Sequence, residues 1–194
     1  MKIGVISDTR AARPDEVPSQ VVKAFEGVDL ILHAGGINTP IVLDWLEKIA
    51  PVKAVGRTTG DRTENPQFFE REGGDDSRIA QHHILELEGH KIGMVHELSL
   101  RGMSDEIRPG FIEANRRTDL SLRDMVQEFF ETEVDIVIFG RTLYAMVEEH
   151  QGLLFLNPGS PAFPRNMRKL GNVAILELEP GRRDVTLIDL VDIG

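Results

Sequence analysis

At 194 residues the chain has the size of one ordinary domain, residues 1–194, able to bury a core without disulfides or a structural metal. It contains no cysteine, which removes disulfide frameworks, thiolate zinc sites and cysteine nucleophiles and accords with a reducing cytoplasm. Its formal net charge of -10 opposes nucleic-acid backbones, so nucleic acid is set aside as a partner, and charges and glycines break every apolar run short of the ~20 residues a membrane span needs.

The segment MKIGVISD begins as an apolar strand, Lys2 to Ile6, with no basic or long apolar leader ahead of it, and the expectation is a cytoplasmic protein with no membrane partner. Turn-rich Ser7 to Pro18 leads to an amphipathic helix, Val21 to Phe25. The pattern repeats with a strand from Val28 to His33, a Gly-rich loop from Ala34 to Thr39, and a helix from Pro40 to Ile49. Thr39 is its expected N-cap and Pro40 lies in its first turn. A third strand, Val52 to Val55, follows. Alternating strands and helices predict a parallel sheet with functional loops at the carboxyl ends of its strands, which puts Asp8, Gly36 and Thr58 on one rim.

Beyond that rim antiparallel patterns appear. Ile84 to Leu87 and Ile92 to His96 form a predicted hairpin about Glu88-Gly89-His90. A strand from Asp135 to Phe139 ends at Gly140, a second hairpin turns at Gln151-Gly152, and the last two strands flank Pro180-Gly181. Two insertions stand apart. Residues 68–81 are polar and read as a mobile surface loop. Residues 98–120 carry Arg101, Arg108, Arg116 and Arg117 and read most simply as a solvated loop, with a lid, a dimer arm or a disordered excursion as alternatives. Ser121 caps a helix running to about Glu131.

The segments MKIGVISDT, VDLILHAG, APVKAV, KIGMVH, VDIVIFG and LFLNPGSPAFPR follow one another as in the small microbial calcineurin-type metallophosphoesterases, which most of the chain resembles. The resemblance implies a four-layer α/β/β/α sandwich. It also implies positions for two metal ions: Asp-x-His after the first strand, Gly-Asp after the second, Gly-Asn after the third, a strand-ending His, and Gly-His-x-His. A carboxylate bridging two cations roughly 3.5–4 Å apart lets a bound hydroxide attack phosphorus in line.

At those positions this chain keeps Asp8 and His96, a residual and weak metal pair. Arg10 stands for the first His, and Gly36 for the bridging acid. Thr58 stands nearest the Asn, with Asp61 matching an acid that often follows. Arg141 and Leu143 replace the closing histidines. An oxygen and a nitrogen alone do not hold two hard cations, so no cofactor is expected. Arg10, Arg57 and Arg141 together suit a phosphate-like anion, since guanidinium offers fixed charge and bidentate donors. Arg10 and Arg141 suit equally well as ion-pair partners for Asp8 and nearby acids, filling an emptied cage. Asn157, in the family's NPGS turn, shapes the rim, while Ser160 lacks a nucleophile elbow and its His/acid partners. His33 belongs beneath the site, and His82, His83 and His90 offer no metal-ligand spacing. Neither a P-loop nor a dinucleotide fingerprint occurs.

Three functions remain open at this stage. The first is a degenerate, non-catalytic or weakly active homologue that binds an anion. The second is an active phosphodiesterase or phosphatase using Mn²⁺ or another divalent cation at Asp8 and His96, with ligands such as Asp61, Asp105 or Glu106. The third, implied by a branch of the family that serves as an assembly subunit, is an interaction module with a protein partner or a homo-oligomeric state.

Overall fold

The computed structural model describes residues 1–56, 76–103, 107–114, 121–163 and 166–194, with the backbone alone for 163 and 166–168. The first half runs β1 (Lys2–Ile6), α1 (Gln20–Ala24), β2 (Leu30–His33), α2 (Ile41–Leu46) and β3 (Val52–Val55). Next come β4 (Ile79–Ala80), β5 (His82–Leu87), β6 (His90–Val95), α3 (Phe111–Ala114), α4 (Leu122–Phe130) and β7 (Ile136–Phe139). The chain finishes with β8 (Met146–His150), β9 (Leu153–Asn157), β10 (Ala162–Phe163), β11 (Asn166–Leu170), β12 (Asn172–Glu179) and β13 (Arg182–Asp189).

One sheet has the order β13-β12-β1-β2-β3-β4 and the other β5-β6-β7-β9-β8. In the first, β1 to β4 are parallel and β12 lies antiparallel on β1. In the second, β6, β7 and β9 are parallel and the edges β5 and β8 are antiparallel. Alternation along each strand decides the layers. Ile3, Val5 and Leu32 of the first sheet share one buried core with Met94, Ile138 and Leu156 of the second. The opposite face of the first sheet, with Ile6 and Ile31, packs on Val21, Phe25, Leu43 and Leu46. The outer face of the second, with Val137, Phe139 and Phe155, packs on Met125, Val126 and Phe130 of α4. Helices therefore cover both outer faces, and the architecture is the expected four-layer α/β/β/α sandwich.

The hairpins form where the sequence places them. Glu88 and Gly89 have φ of 51° and 80°, and Gln151 and Gly152 have 52° and 73°, as two-residue primed turns require. Ser121 caps α4 by accepting the Asp124 N–H at 3.1 Å, and Glu131 ends it at φ 56°.

Four expectations are corrected. Pro40, not Thr39, occupies the cap of α2, although Thr39 Oγ1 still accepts the Ile41 N–H at 3.4 Å. That helix is also shorter than Pro40 to Ile49, because its last turn tightens into i→i+3 bonds, Lys48 N–H to Trp45 and Ile49 N–H to Leu46. The tail of the 68–81 insertion is no mobile loop: Ile79–Ala80 pair in parallel with Ala54 and Val55, and residues 68–75 lie outside the described set. In the 98–120 insertion Leu98, Leu100, Ile107 and Ile112 are buried against α4 and the second sheet. Their apolar area is more favourably placed there than in water, so this segment is packed rather than solvated where it is described. The β10–β11 ribbon is additional to the expected strands.

Candidate functional site

The carboxyl ends of β1, β2, β6 and β7 meet at one rim. The Asp8 N–H donates to the Gly35 carbonyl at 2.7 Å and the Arg10 N–H to that of Gly36 at 3.0 Å, which laces the loop after β1 to the loop after β2. Asp8 and Arg10 both take positive φ, 51° and 45°, as do Arg141 and Leu143 in the loop after β7, at 61° and 63°. Among the described residues the other non-glycine positive φ values fall in the two hairpin turns and the end of α4. Backbone strain is therefore concentrated at this rim, as at functional sites generally.

The Asp8 side chain is fully buried, 0 % exposed. Its Oδ1 accepts from Arg10 Nε at 3.1 Å and Nη2 at 2.9 Å, and its Oδ2 accepts from the Arg141 N–H at 3.0 Å. Both oxygens are thus engaged by donors that are not metals. His96 comes to the same point. Its Nδ1 donates to the Ala34 carbonyl at 2.8 Å, and its Nε2 faces Asp8 Oδ1 at 3.9 Å, beyond hydrogen-bond reach. The Arg141 guanidinium, 44 % exposed, pairs with Glu97 at 3.3 Å. Arg10 is 41 % exposed.

The structure brings Asp8, Arg10, Gly36, His96 and Arg141 together. Asn157 lies directly behind them: its Nδ2 donates to the Gly140 carbonyl at 2.7 Å and to Thr142 Oγ1 at 3.0 Å, and its Oδ1 accepts the Gly159 N–H at 3.0 Å. That network sets the turn from which Arg141 reaches Asp8. Ser160 Oγ lies 3.0 Å from the Asp8 carbonyl and 2.5 Å from that of Ala162, so its hydroxyl is committed to the backbone. Arg57, Thr58, Asp61, Asp105 and Glu106 lie outside the described residues.

Under the rim, buried His33 Nε2 and Thr9 Oγ1 share a hydrogen bond of 3.1 Å. Burial first, and the His96 charge second, lower the His33 pKa to about 3. His83 and His90 tie elements together instead, donating to the Ala54 carbonyl at 2.9 Å and to those of Glu179 and Arg182 at 3.0 and 3.1 Å. Two features had no sequence signal. Glu97 follows His96 without any motif, and Arg78 gathers Asp76, Asp44 and Glu47 at 2.6, 2.7 and 3.0 Å from more than 30 residues away for the last two.

Gly36 decides how well the rim suits a metal pair. At φ +73°, a Cβ on this residue would lie 2.5 Å from Asp8 Oδ1 and 2.7 Å from the Asp8 Cα. The space an acid would need is filled by the buried carboxylate. Among the described residues no group of three or more His, Cys, Asp or Glu converges on a common point.

The model of the calcineurin-like phosphoesterase superfamily domain matches residues 1–181. The chain belongs to that superfamily. A probable metallophosphoesterase of Methanothermobacter thermautotrophicus is 30% identical over 194 residues, covering 97% of this chain and 92% of the relative. A second, from Methanocaldococcus jannaschii, is 33% identical over 166 residues, covering 85% and 70%. Among solved structures, zinc-complexed Vps29 of Entamoeba histolytica is similar with TM-score 0.61 at 20% identity, covering 98% of this chain and 99% of that one. An archaeal phosphodiesterase gives 0.57 at 18%, covering 97% and 100%. These likenesses establish the shared fold. Metallophosphoesterases of this superfamily work through divalent ions, and the described donor set here, one acid already bonded at both oxygens and one imidazole, does not fit a pair of them. Among the described residues no helix is long and apolar enough to cross a membrane.

Proposed function

We propose that this chain is a metallophosphoesterase-family protein that binds a phosphate-like anion without hydrolysing it through two metal ions. The observation that carries the reading is the closure of Asp8 by Arg10 and the Arg141 N–H, together with Gly36 where the family places its bridging acid. Without a metal-activated hydroxide, hydrolysis needs a general base within reach of a water. Asp8 is spent on Arg10, and His96, whose Nδ1 donates to a carbonyl, keeps Nε2 as the one basic ring nitrogen left at the rim among the described residues. The anion contact falls to the solvent-facing parts of Arg10 and Arg141; Arg57, the third arginine of the sequence reading, lies outside the described residues. Arg10 and Arg141 already have an acid each, Asp8 and Glu97, so the anion competes with Glu97 for Arg141 and affinity falls with salt.

Two measurements test this. Metal-stripped protein is assayed on bis(p-nitrophenyl) phosphate with and without millimolar Mn²⁺, and inorganic phosphate is titrated at low salt by calorimetry. The reading expects no metal-dependent turnover and phosphate binding that Arg141→Ala weakens at least tenfold. Mn²⁺-dependent turnover abolished by Asp8→Ala would instead establish an active phosphodiesterase. Phosphate binding indifferent to Arg141→Ala removes the anion site.

A further inference from the structure

We propose that Arg10 is the resident cation of this site: its guanidinium takes, against Asp8, the electrostatic place that divalent ions take in the family. This inference rests on the reading that the rim binds no metal pair, and adds what holds it together instead. A carboxylate with no exposed surface stays ionised only beside a counter-charge and donors. Asp8 has one of each kind, Arg10 on Oδ1 and a peptide N–H on Oδ2.

The contact is built into the backbone. Arg10 sits two residues beyond Asp8, both at positive φ. Its N–H is held by the Gly36 carbonyl and its own carbonyl accepts from Asn38 Nδ2 at 2.5 Å. The peptide that carries the guanidinium is thus fixed at both ends. The other rim guanidinium, that of Arg141, pairs with Glu97 at 3.3 Å.

Charge balance explains why Gly36 and Arg10 belong together. An acid at position 36 would place a second anion against Asp8 Oδ1, and one guanidinium neutralises only one. With glycine there, a single acid faces a single fixed cation, and the account closes without any ion from solution. His96 supports the same reading, because its Nε2 stops 3.9 Å from the oxygen Arg10 holds. With the guanidinium removed, that nitrogen and Asp8 Oδ1 offer an added cation one nitrogen and one oxygen.

The test uses the full chain with Arg10→Gln, Asp8→Asn and the double variant, each melted in EDTA and in millimolar MnCl₂. The wild type is expected to melt at the same temperature in both. Arg10→Gln should melt several degrees lower in EDTA and recover part of the loss in Mn²⁺. The double variant should melt near Asp8→Asn alone and ignore Mn²⁺. An unchanged melting temperature for Arg10→Gln overturns the proposal, as does a double variant no better than Arg10→Gln. Rescue by Asp8→Asn without any Mn²⁺ response reduces Arg10 to an ordinary ion-pair partner and overturns it too. If Arg10→Gln fails to fold in EDTA, folding restored by Mn²⁺ supports the proposal, and a variant that stays unfolded in both refutes it. A wild type that turns over no phosphodiester, beside an Arg10→Gln variant that Mn²⁺ does not rescue, keeps the non-hydrolytic reading and loses this one.

Discussion

Gly36→Ala is expected to be among the most damaging small substitutions in the protein, and Gly27→Ala separates its two causes. Both glycines adopt nearly the same conformation, φ +73° and +72°. An L-residue in that region costs about 1–2 kcal/mol. At Gly27 a Cβ meets nothing within 4 Å, so that cost stands alone. At Gly36 the Cβ would come within 2.5 Å of Asp8 Oδ1 and 2.7 Å of the Asp8 Cα, and the second of these is backbone that no rotamer change can move. Overpacking of this kind adds about 1–3 kcal/mol, which brings Gly36→Ala to about 2–5 kcal/mol. With a urea dependence of roughly 2 kcal/mol per molar, the two variants should differ in midpoint by about 1 M. Urea unfolding followed by circular dichroism reads this directly. Equal midpoints for the two variants would mean that Asp8 does not fill the space beside Gly36, and the argument that the rim excludes a bridging acid would fail.

Other consequences concern charge. Arg78→Ala should cost about 1–2 kcal/mol at pH 7, mostly from Asp76, because Asp44 and Glu47 are half exposed and contribute little. The side-chain bonds from Arg78 hold the Asp76 pKa below its ordinary 3.8, so this contribution is fully present above about that pH and is lost as pH falls through the lower folded value. Acid titration of stability should show the gap between the wild type and Arg78→Ala narrowing as pH falls below 3.8; a gap that acid leaves unchanged would contradict the pairing. Buried His33, with its pKa near 3 against 6.5 when free, acts in a different window. Between those values the unfolded chain takes up a proton that the folded chain refuses, so stability falls by about 1.4 kcal/mol per pH unit as pH drops. His33→Gln should flatten that slope, and the His33 ring resonances should not titrate between pH 7.5 and 4; a midpoint near 6.5 would refute its burial.

The sandwich was legible because its strands are short apolar runs closed by glycine or by primed-turn dipeptides, and because Asp8 and His96 follow strands in recognisable segments. Arg10, Gly36 and Arg141 were legible as departures from a known pattern, and the structure adds which acid each arginine touches. That choice was hidden because it depends on backbone φ at Asp8 and Arg10 and on Glu97, which belongs to no motif. The Arg78 cluster was hidden for a related reason: Asp44 and Glu47 sit on α2, and only the parallel pairing of the two-residue β4 brings Arg78 beside them. In the 98–120 insertion, Leu98, Leu100, Ile107 and Ile112 follow neither a helical nor a strand period, so their burial could not be read from spacing.

The most direct test of the closed rim is calorimetric titration of Mn²⁺ into metal-stripped protein at neutral pH. The account predicts no binding up to millimolar metal, since Asp8 is already neutralised by Arg10 and position 36 has no acid. Binding of two equivalents at micromolar concentration would contradict it.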